Sequence, residues 1–205
     1  MLNKSNLVGK NKEDLINSFL EENSLSEQDI YVIENETEEK LFSKKYSIDI
    51  VTKQDVIGFI KDYFKALEEL MGVEIGVEVR ITDTEENDIY NVLLITNNNA
   101  IMIGKEGRTL DAMQTLLRQS ISNNLPIKVN LDASNYKAKK NKNLEYEAKK
   151  LAREVLKTKV DVKLDPMTSF ERRIVHNVVN KYDNLATESE GETPNRYVVI
   201  KYKED

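Results

Sequence analysis

The sequence predicts an α+β protein built from three consecutive parts. Segments with apolar residues at helical spacing alternate with short segments in which apolar and polar residues alternate, as helices and half-buried strands require. The 205 residues suffice for one or two domains with a sizeable core. We expect a small N-terminal α/β domain, a middle domain ordered α-β-β-α-α-β, and an α+β domain joined to it through a long basic helix.

The first part, residues 1–51, is expected to hold one helix and two short strands. Asn11 is a suitable N-cap, and Glu13 and Asp14 occupy the first turn. The apolar residues that follow have helical spacing: Leu15, Ile16, Phe19 and Leu20. The strands are predicted at residues 30–33 and 46–51, with an acidic turn between them.

The middle part, residues 52–135, opens with a helix that starts at a Thr52–Asp55 capping box and stops at Gly72. A strand is predicted at residues 75–81, because apolar and polar residues alternate there, and a polar turn leads from it to a second strand at about 89–96. A short helix, a Gly-x-x-Gly turn at 104–107 and a helix over 109–122 come next. The inner side of the helix over 109–122 is expected to carry Leu110, Met113, Leu116, Leu117 and Ile121. Pro126 is expected to open a third strand.

The last part, residues 136–205, begins with the lysine-rich helix and its apolar stripe. A strand is expected at 160–164, ended by Pro166. A capping box from Thr168 to Glu171 starts another helix that runs to about Tyr182. The chain closes with residues 187–192, a turn at Pro194 and Asn195, and a β-branched strand at 197–202.

Charge is distributed unevenly along the chain, whose formal net charge is −6. Residues 1–90 carry 10 basic and 21 acidic side chains, a net charge of −11, whereas residues 91–205 carry 20 and 15, a net charge of +5. The net acidity alone argues against a nucleic-acid partner, but the basic excess is concentrated between residues 133 and 159. This asymmetry indicates a polyanion site in the C-terminal half, or else a solvated helix face.

Composition excludes several kinds of chemistry. With no cysteine there is no disulfide, thiolate metal site or cysteine nucleophile, and one histidine cannot make a multi-histidine metal site. No stretch reaches the length of a membrane span, and the polar start does not resemble a signal peptide. We therefore expect a soluble cytoplasmic protein with no cofactor, no metal and no stable membrane insertion.

The Gly-x-x-Gly segment is the first candidate binding motif. Gly104 and Gly107 allow a tight turn, and the helix that starts there presents free amide groups and a positive dipole end, which favour phosphate. Lys105 and Arg108 add positive charge, whereas Glu106 places an anion beside the expected phosphate path. By itself the motif is also compatible with a plain helix-turn-helix.

The second candidate motif is an arginine and a histidine four residues apart. On a helix, Arg172 and His176 point to the same flank, outside the stripe formed by the neighbouring apolar residues. Such a pair can bind phosphate and stack on a base. The alternative is an Arg in an ion pair and a His bonded to a carbonyl.

These motifs in this order resemble the Jag family of bacterial RNA-binding proteins, also called SpoIIIJ-associated. IGKEGRTLDAMQTL within the α-β-β-α-α-β order resembles a type II KH domain, and DPMTSFERRIVH with ATESEGETPNRYVVIKY resembles an R-three-H domain. Residues 1–50 look like a degenerate form of the family's small N-terminal domain, without its glycine-rich segment.

The resemblance implies single-stranded RNA binding without catalysis, as an RNA chaperone or post-transcriptional regulator. It implies a small single-KH-domain partner protein and a link to cell-wall synthesis, cell elongation and cell shape. The expected RNA-binding residues are Gly104, Lys105, Glu106, Gly107, Arg108, Lys137, Lys139, Lys140, Arg172, His176 and Arg196.

Two other functions compete with RNA binding. The acidic first half, including ENETEEK at 34–40, is compatible with a protein-interaction scaffold at the membrane or division machinery, for which RNA is incidental. A metal-dependent phosphodiesterase would need convergent carboxylates. Its candidates, Asp83, Glu85, Glu86 and Asp88, lie in one turn without a ligand spacing.

Overall fold

A computed structural model describes residues 2–35, 38–40, 43–121 and 125–203. The chain divides into two compact units, residues 1–134 and residues 135–205. Among the described residues, the helices are α1 (Lys12–Asn23), α2 (Lys53–Met71), α3 (Asn99–Ile103), α4 (Arg108–Ser120), α5 (Tyr136–Thr158) and α6 (Ser169–Val179). The strands are β1 (Ser5–Gly9), β2 (Ile30–Glu34), β3 (Glu38–Lys40), β4 (Ser43–Thr52), β5 (Ile75–Thr82), β6 (Asp88–Thr96), β7 (Ile127–Ala133), β8 (Val162–Lys163), β9 (Leu185–Glu190) and β10 (Tyr197–Tyr202).

The first unit starts with an antiparallel sheet ordered β1-β4-β2, in which β3 also pairs with β4. Asn11 caps α1, because its side chain accepts a hydrogen bond from the Glu13 amide. The sequence analysis missed β1 and β3, which are short and carry no sustained alternation. Parts of the expected acidic turn, at residues 36–37, lie outside the described residues.

The middle of the chain folds in the expected α-β-β-α-α-β order. Strand β6 pairs antiparallel with β5 and parallel with β7, and α2 packs on β5 while α4 packs on β7. The capping box of Thr52 and Asp55 starts α2, and Gly72 ends it with a left-handed φ of 63°. The fold-class prediction is therefore confirmed for this domain.

The buried side of α4 is narrower than its apolar spacing indicated. Leu110, Met113, Leu117 and Ile121 are buried, but Leu116 is 54% exposed. At about 100° per residue, Leu116 projects about a quarter turn away from Leu117 and so leaves the core side. Ser122, the predicted helix end, lies outside the described residues.

A polar cluster connects the N-terminal sheet to the middle sheet inside the first unit. The Tyr31 hydroxyl donates to the Asp88 carboxylate and lies 2.9 Å from the Tyr90 hydroxyl. The Lys53 ammonium reaches Asp88 at 2.9 Å and Asp83 at 2.7 Å. Burial raises the pKa of Tyr90 to about 12. Burial also opposes the charge on Asp88, but Tyr31 and Lys53 hold its pKa below the usual value.

The second unit packs α5 and α6 against an antiparallel sheet ordered β8-β10-β9. Its core consists of buried apolar residues from both helices and the sheet: Ala148, Ala152, Val155, Leu164, Val175, Val178, Val179, Leu185, Val198 and Ile200. Several predicted boundaries differ here. Strand β8 is shorter than the predicted 160–164, and Val160 before it is exposed. Helix α6 ends at Val179, with Tyr182 in the following turn, and strand β9 begins at Leu185, two residues before the segment 187–192 noted from the sequence.

Candidate nucleic-acid interface

The Gly-x-x-Gly segment forms the turn between α3 and α4. Gly104 has φ 70° and ψ −177°, Gly107 has φ 87°, and Glu106 between them also has a positive φ of 57°. Residues 105–107 make one 3-10 turn, and Gly107 is the N-cap residue of α4 without a side-chain cap. The N-terminal end of α4 therefore lies at this loop, as an anion site would need.

Two features require glycine at position 104: the close approach of Thr109 and the backbone angles of the residue. A Cβ at this position would lie 2.1 Å from the Thr109 Oγ1 and 2.8 Å from the Thr109 Cβ. Its φ and ψ lie in a region that only glycine occupies readily. No other residue type fits this turn without moving α4.

Two charged residues of the loop, Arg108 and Glu106, form an ion pair with each other. Arg108 Nη2 lies 3.3 Å from the Glu106 carboxylate, and both side chains are well exposed, at 76% and 60%. An exposed pair of this kind contributes little to stability. Glu106 nevertheless offsets part of the positive potential that Arg108 and Lys105 provide.

We expect Glu106→Gln to increase the affinity of the chain for single-stranded RNA by about 2- to 5-fold, because it removes a negative charge beside the loop in a high-dielectric setting. The gain should shrink as salt is added. Fluorescence anisotropy with a labelled, unstructured RNA measures both effects.

The matched control is Glu78→Gln. Glu78 pairs with Arg80 at 3.6 Å, two residues away, on exposed β5 positions of the same unit. The substitution Glu78→Gln removes the same negative charge from a similar pair outside the loop. Equal gains from Glu78→Gln and Glu106→Gln would assign the effect to net charge and contradict a role for the loop.

Arg172 and His176 lie on one flank of α6, as predicted, and both are half-buried. The Arg172 guanidinium donates to the Met167 carbonyl at 3.2 Å and to the Ser169 hydroxyl at 3.0 Å. His176 Nδ1 lies 2.6 Å from the Thr187 hydroxyl, and His176 Nε2 lies 3.0 Å from the Ser189 hydroxyl. Neither of the alternatives considered from sequence, an ion pair and a carbonyl partner for the imidazole, describes these contacts.

The imidazole of His176 is held neutral by its surroundings. Burial lowers its pKa below the usual 6.5, and the positive charge of Arg172 lowers it further. The groups facing it are Arg172 from α6 and the hydroxyls of Thr187 and Ser189 from β9. At neutral pH Arg172 therefore supplies the charge of this pair.

This environment predicts a specific pH dependence. RNA affinity should stay constant at neutral and mildly basic pH, and it should rise as the pH falls below 6.5 through the lowered pKa of His176, the one histidine of the chain, which then gains a proton. The stability contribution of neutral His176 is present above pH 6.5 and is lost as pH falls through the lower folded-state pKa. Anisotropy across this range checks the prediction, and a rise that persists in His176→Gln would contradict it.

The predicted cations on α5 differ in their surroundings. Lys139 is exposed, whereas the Lys140 ammonium lies 2.7 Å from the Glu171 carboxylate. Lys137 is half-buried and has an interaction partner. Lys140 thus connects the start of α5 to the start of α6, next to Arg172.

Arg196 lies in the exposed turn before β10. Its carbonyl accepts a hydrogen bond from the Met167 amide at 3.0 Å, and the Met167 carbonyl accepts from Arg172. The structure therefore brings the backbone of Arg196 to the segment that holds Arg172.

Two exposed aromatic side chains were missed in the sequence analysis. Tyr146 on α5 is 73% exposed and Phe170 on α6 is 63% exposed. Both fall outside the apolar stripes of their helices, so the helical period could have found them.

The described part of the chain was also compared with the needs of a metal site and of a membrane span. Across residues 2–35, 38–40, 43–121 and 125–203, no group of three or more acidic, His or Cys side chains could hold a metal ion. In the same ranges no helix is long and apolar enough to span a bilayer. Asp83 and Asp88 of the carboxylate turn instead pair with Lys53.

Comparison with known proteins identifies both domains. The KhpA/KhpB KH domain family matches residues 58–132, and the R-three-H domain family matches residues 142–202. The chain is also 34% identical over 206 residues to the RNA-binding protein KhpB of Bacillus subtilis strain 168, covering 96% of this chain and 97% of the relative. The chain belongs to the KhpB (Jag) family of RNA-binding proteins.

Further KhpB relatives agree with this assignment. The RNA-binding protein KhpB of Clostridium symbiosum is 38% identical over 157 residues, which cover 75% of this chain and 68% of the relative. The KhpB of Lactiplantibacillus plantarum is 33% identical over 68% of this chain and 42% of the relative. Family membership confirms the predicted family and supports RNA binding, while the domain boundaries at residues 52 and 136 stay predictions.

Proposed function

We propose that the chain is a non-catalytic binder of single-stranded RNA that acts in the cytoplasm as an RNA chaperone or post-transcriptional regulator. The loop of Gly104, Lys105, Gly107 and Arg108 holds one stretch of RNA backbone. Arg172, His176 and Arg196 hold another, and Lys137, Lys139 and Lys140 add positive charge. Membership in a family of RNA-binding proteins supports this proposal.

The observation that carries the proposal is the backbone of the loop. Gly104 and Gly107 both have positive φ, and Gly107 opens α4, so the loop presents the amide end of a 13-residue helix. A phosphate is the ligand that such an end stabilises best. Ile101 of α3 and Leu116 of α4 are exposed apolar side chains on the two flanking helices and are available to contact bases.

The partner in this proposal is a small protein with a single KH domain. The matching KH family is named for both KhpA and KhpB, which supports a relation between the two proteins. The link to cell-wall synthesis, cell elongation and cell shape comes with the family resemblance. Co-purification of such a partner with the tagged chain, before and after RNase treatment, tests whether the pairing needs RNA.

The decisive experiment is an RNA titration at several salt concentrations. If four to six phosphates are neutralised, log affinity should fall with log salt with a slope of about −3 to −4. Gly107→Asp should weaken binding at least about 10-fold, because it puts a side chain and an anion into the loop. Gly72→Asp is the matched control, since Gly72 also has a left-handed φ, at the end of α2, with no atom close to its missing Cβ.

The outcomes separate the possible functions. Loss of affinity in Gly107→Asp and not in Gly72→Asp supports the loop as the RNA site. Binding that ignores salt, or that Gly107→Asp leaves unchanged in a folded protein, counts against it. No RNA binding by the unmodified chain would favour the scaffold alternative.

A further inference from the structure

The outward face of α5 is strongly basic. At about 100° per residue, the buried stripe of this helix lies around Leu144, Ala148 and Val155, and the opposite third of the helix carries six cations and one aromatic. We call this surface the α5 basic face. Its residues are Lys139, Lys142, Tyr146, Lys149, Lys150, Arg153 and Lys157, all of them exposed.

The acidic residues of α5 border this face. Glu145, Glu147 and Glu154 lie at its borders, toward the sides of the buried stripe. In the part of the chain that the structure describes, no salt bridge joins any of the six cations to a carboxylate. Glu145 with Lys149 and Lys150 with Glu154 have the i, i+4 spacing of helix ion pairs, yet neither pair forms a salt bridge among the described residues, so the cations stay available to another anion.

Tyr146 fills the gap in the row of cations. Lys139 and Lys142 lie on its N-terminal side, and the other four cations lie on its C-terminal side. With a rise of about 1.5 Å per residue, Tyr146 is about 6 Å along the axis from Lys142 and about 5 Å from Lys149. The whole face is about 27 Å long. The side chain of Tyr146 is 73% exposed and contributes nothing to the core of the second unit.

We propose that the α5 basic face is a third RNA-binding surface, on which the cations contact successive phosphates of a single strand and Tyr146 stacks on a base. A positive track with an interposed exposed aromatic is the arrangement that binds single strands without sequence preference. This inference rests on the proposed RNA-binding function and extends it to a surface between the two motifs in the sequence.

RNA fits this face better than a membrane does. A helix that lies on a bilayer needs an exposed apolar face beside its basic face. The apolar side of α5 is instead buried in the core of the second unit, and Tyr146 is the one aromatic on the basic side.

Three variants of the full chain test the proposal against an unstructured RNA of about 20 nucleotides. Tyr146→Ala should weaken binding about 5-fold or more, and Tyr146→Phe should restore affinity to within about 2-fold, because the ring remains. Combined Lys149→Gln and Arg153→Gln should weaken binding and make the salt slope shallower by about 1.4. The control, Lys61→Gln with Lys65→Gln, removes two exposed charges four residues apart on α2 and should change neither quantity.

A direct reporter of stacking is also available, because the chain has no tryptophan. Tyr146→Trp introduces a single indole, whose fluorescence should be quenched on adding RNA and restored by salt. Quenching together with the losses above supports the proposal.

Failure of this proposal differs from failure of the proposed function. If Gly107→Asp weakens binding while the Tyr146 and Lys149/Arg153 variants bind like the unmodified chain, the α5 basic face is not an RNA site. If those variants lose binding only to vesicles containing anionic lipid, the face is a membrane surface and the proposal is overturned. If the unmodified chain binds no RNA, both fail.

Discussion

Gly104→Ala is expected to destabilise the first unit and to lower RNA affinity at least about 10-fold. The alanine Cβ would lie 2.1 Å from the Thr109 Oγ1, and Gly104 has φ 70° and ψ −177°. The backbone strain alone costs about 1–3 kcal/mol, and relief of the clash requires the start of α4 to shift. Denaturant unfolding followed by circular dichroism measures the stability, and anisotropy measures the affinity.

The comparison with Gly72→Ala isolates the loop effect. Gly72 also has a positive φ, but no atom lies within 4 Å of its missing Cβ. The Gly72→Ala variant should therefore lose about 1 kcal/mol of free energy of unfolding and keep its RNA affinity. Adding Thr109→Ala to Gly104→Ala removes the closest atom and should recover part of the loss. An unchanged affinity in Gly104→Ala would contradict the proposed role of the loop.

Glu171→Ala is expected to lower the free energy of unfolding of the second unit by about 2–3 kcal/mol. One carboxylate oxygen of Glu171 accepts from the Thr168 amide at 2.8 Å and from its hydroxyl at 2.7 Å, while the other receives the Lys140 ammonium at 2.7 Å. Alanine removes the capping box of α6 and leaves Lys140 without this carboxylate. Glu171→Gln retains a capping group and should lose about half as much.

Glu171→Gln should also make the free energy of unfolding depend less on pH in the acidic range. Burial opposes the charge on Glu171, yet Lys140 and Thr168 together hold its pKa below 4.5. A depressed carboxylate pKa stabilises the fold above pH 4.5, and that stabilisation is lost as pH falls through the folded-state value. The difference between the unmodified chain and Glu171→Gln should therefore vanish in acid. Glu147→Gln, at an exposed position of α5, should change stability by less than about 0.5 kcal/mol.

Local signals predicted most of the fold. The capping boxes at Thr52 and Thr168 act within three residues, and both were located correctly because their partners are close in sequence. The strand β5 was found from its alternation. Strand β1 was missed because its pairing with β4 depends on residues more than 35 positions away.

The binding motifs were recognised from sequence, but their contacts were not. The partners of His176 are hydroxyls 11 and 13 residues further on, and the partner of Lys140 is 31 residues further on. No periodicity links such positions before the sheet and helices assemble. Tyr146, in contrast, could be assigned to the outward side of α5 from the helical period alone.

The cluster around Tyr31 makes the N-terminal sheet a cover for the middle domain. Tyr90 is fully buried, and its hydroxyl meets Tyr31 from the preceding sheet. A fragment that begins at residue 52 keeps every KH motif but exposes Tyr90 and removes one hydrogen-bond donor from Asp88. A truncation series could therefore lose RNA affinity through damage to the middle domain and not through loss of an RNA contact. The substitution Tyr31→Phe, which removes only the buried hydroxyl, is the control that measures the first of these effects by itself.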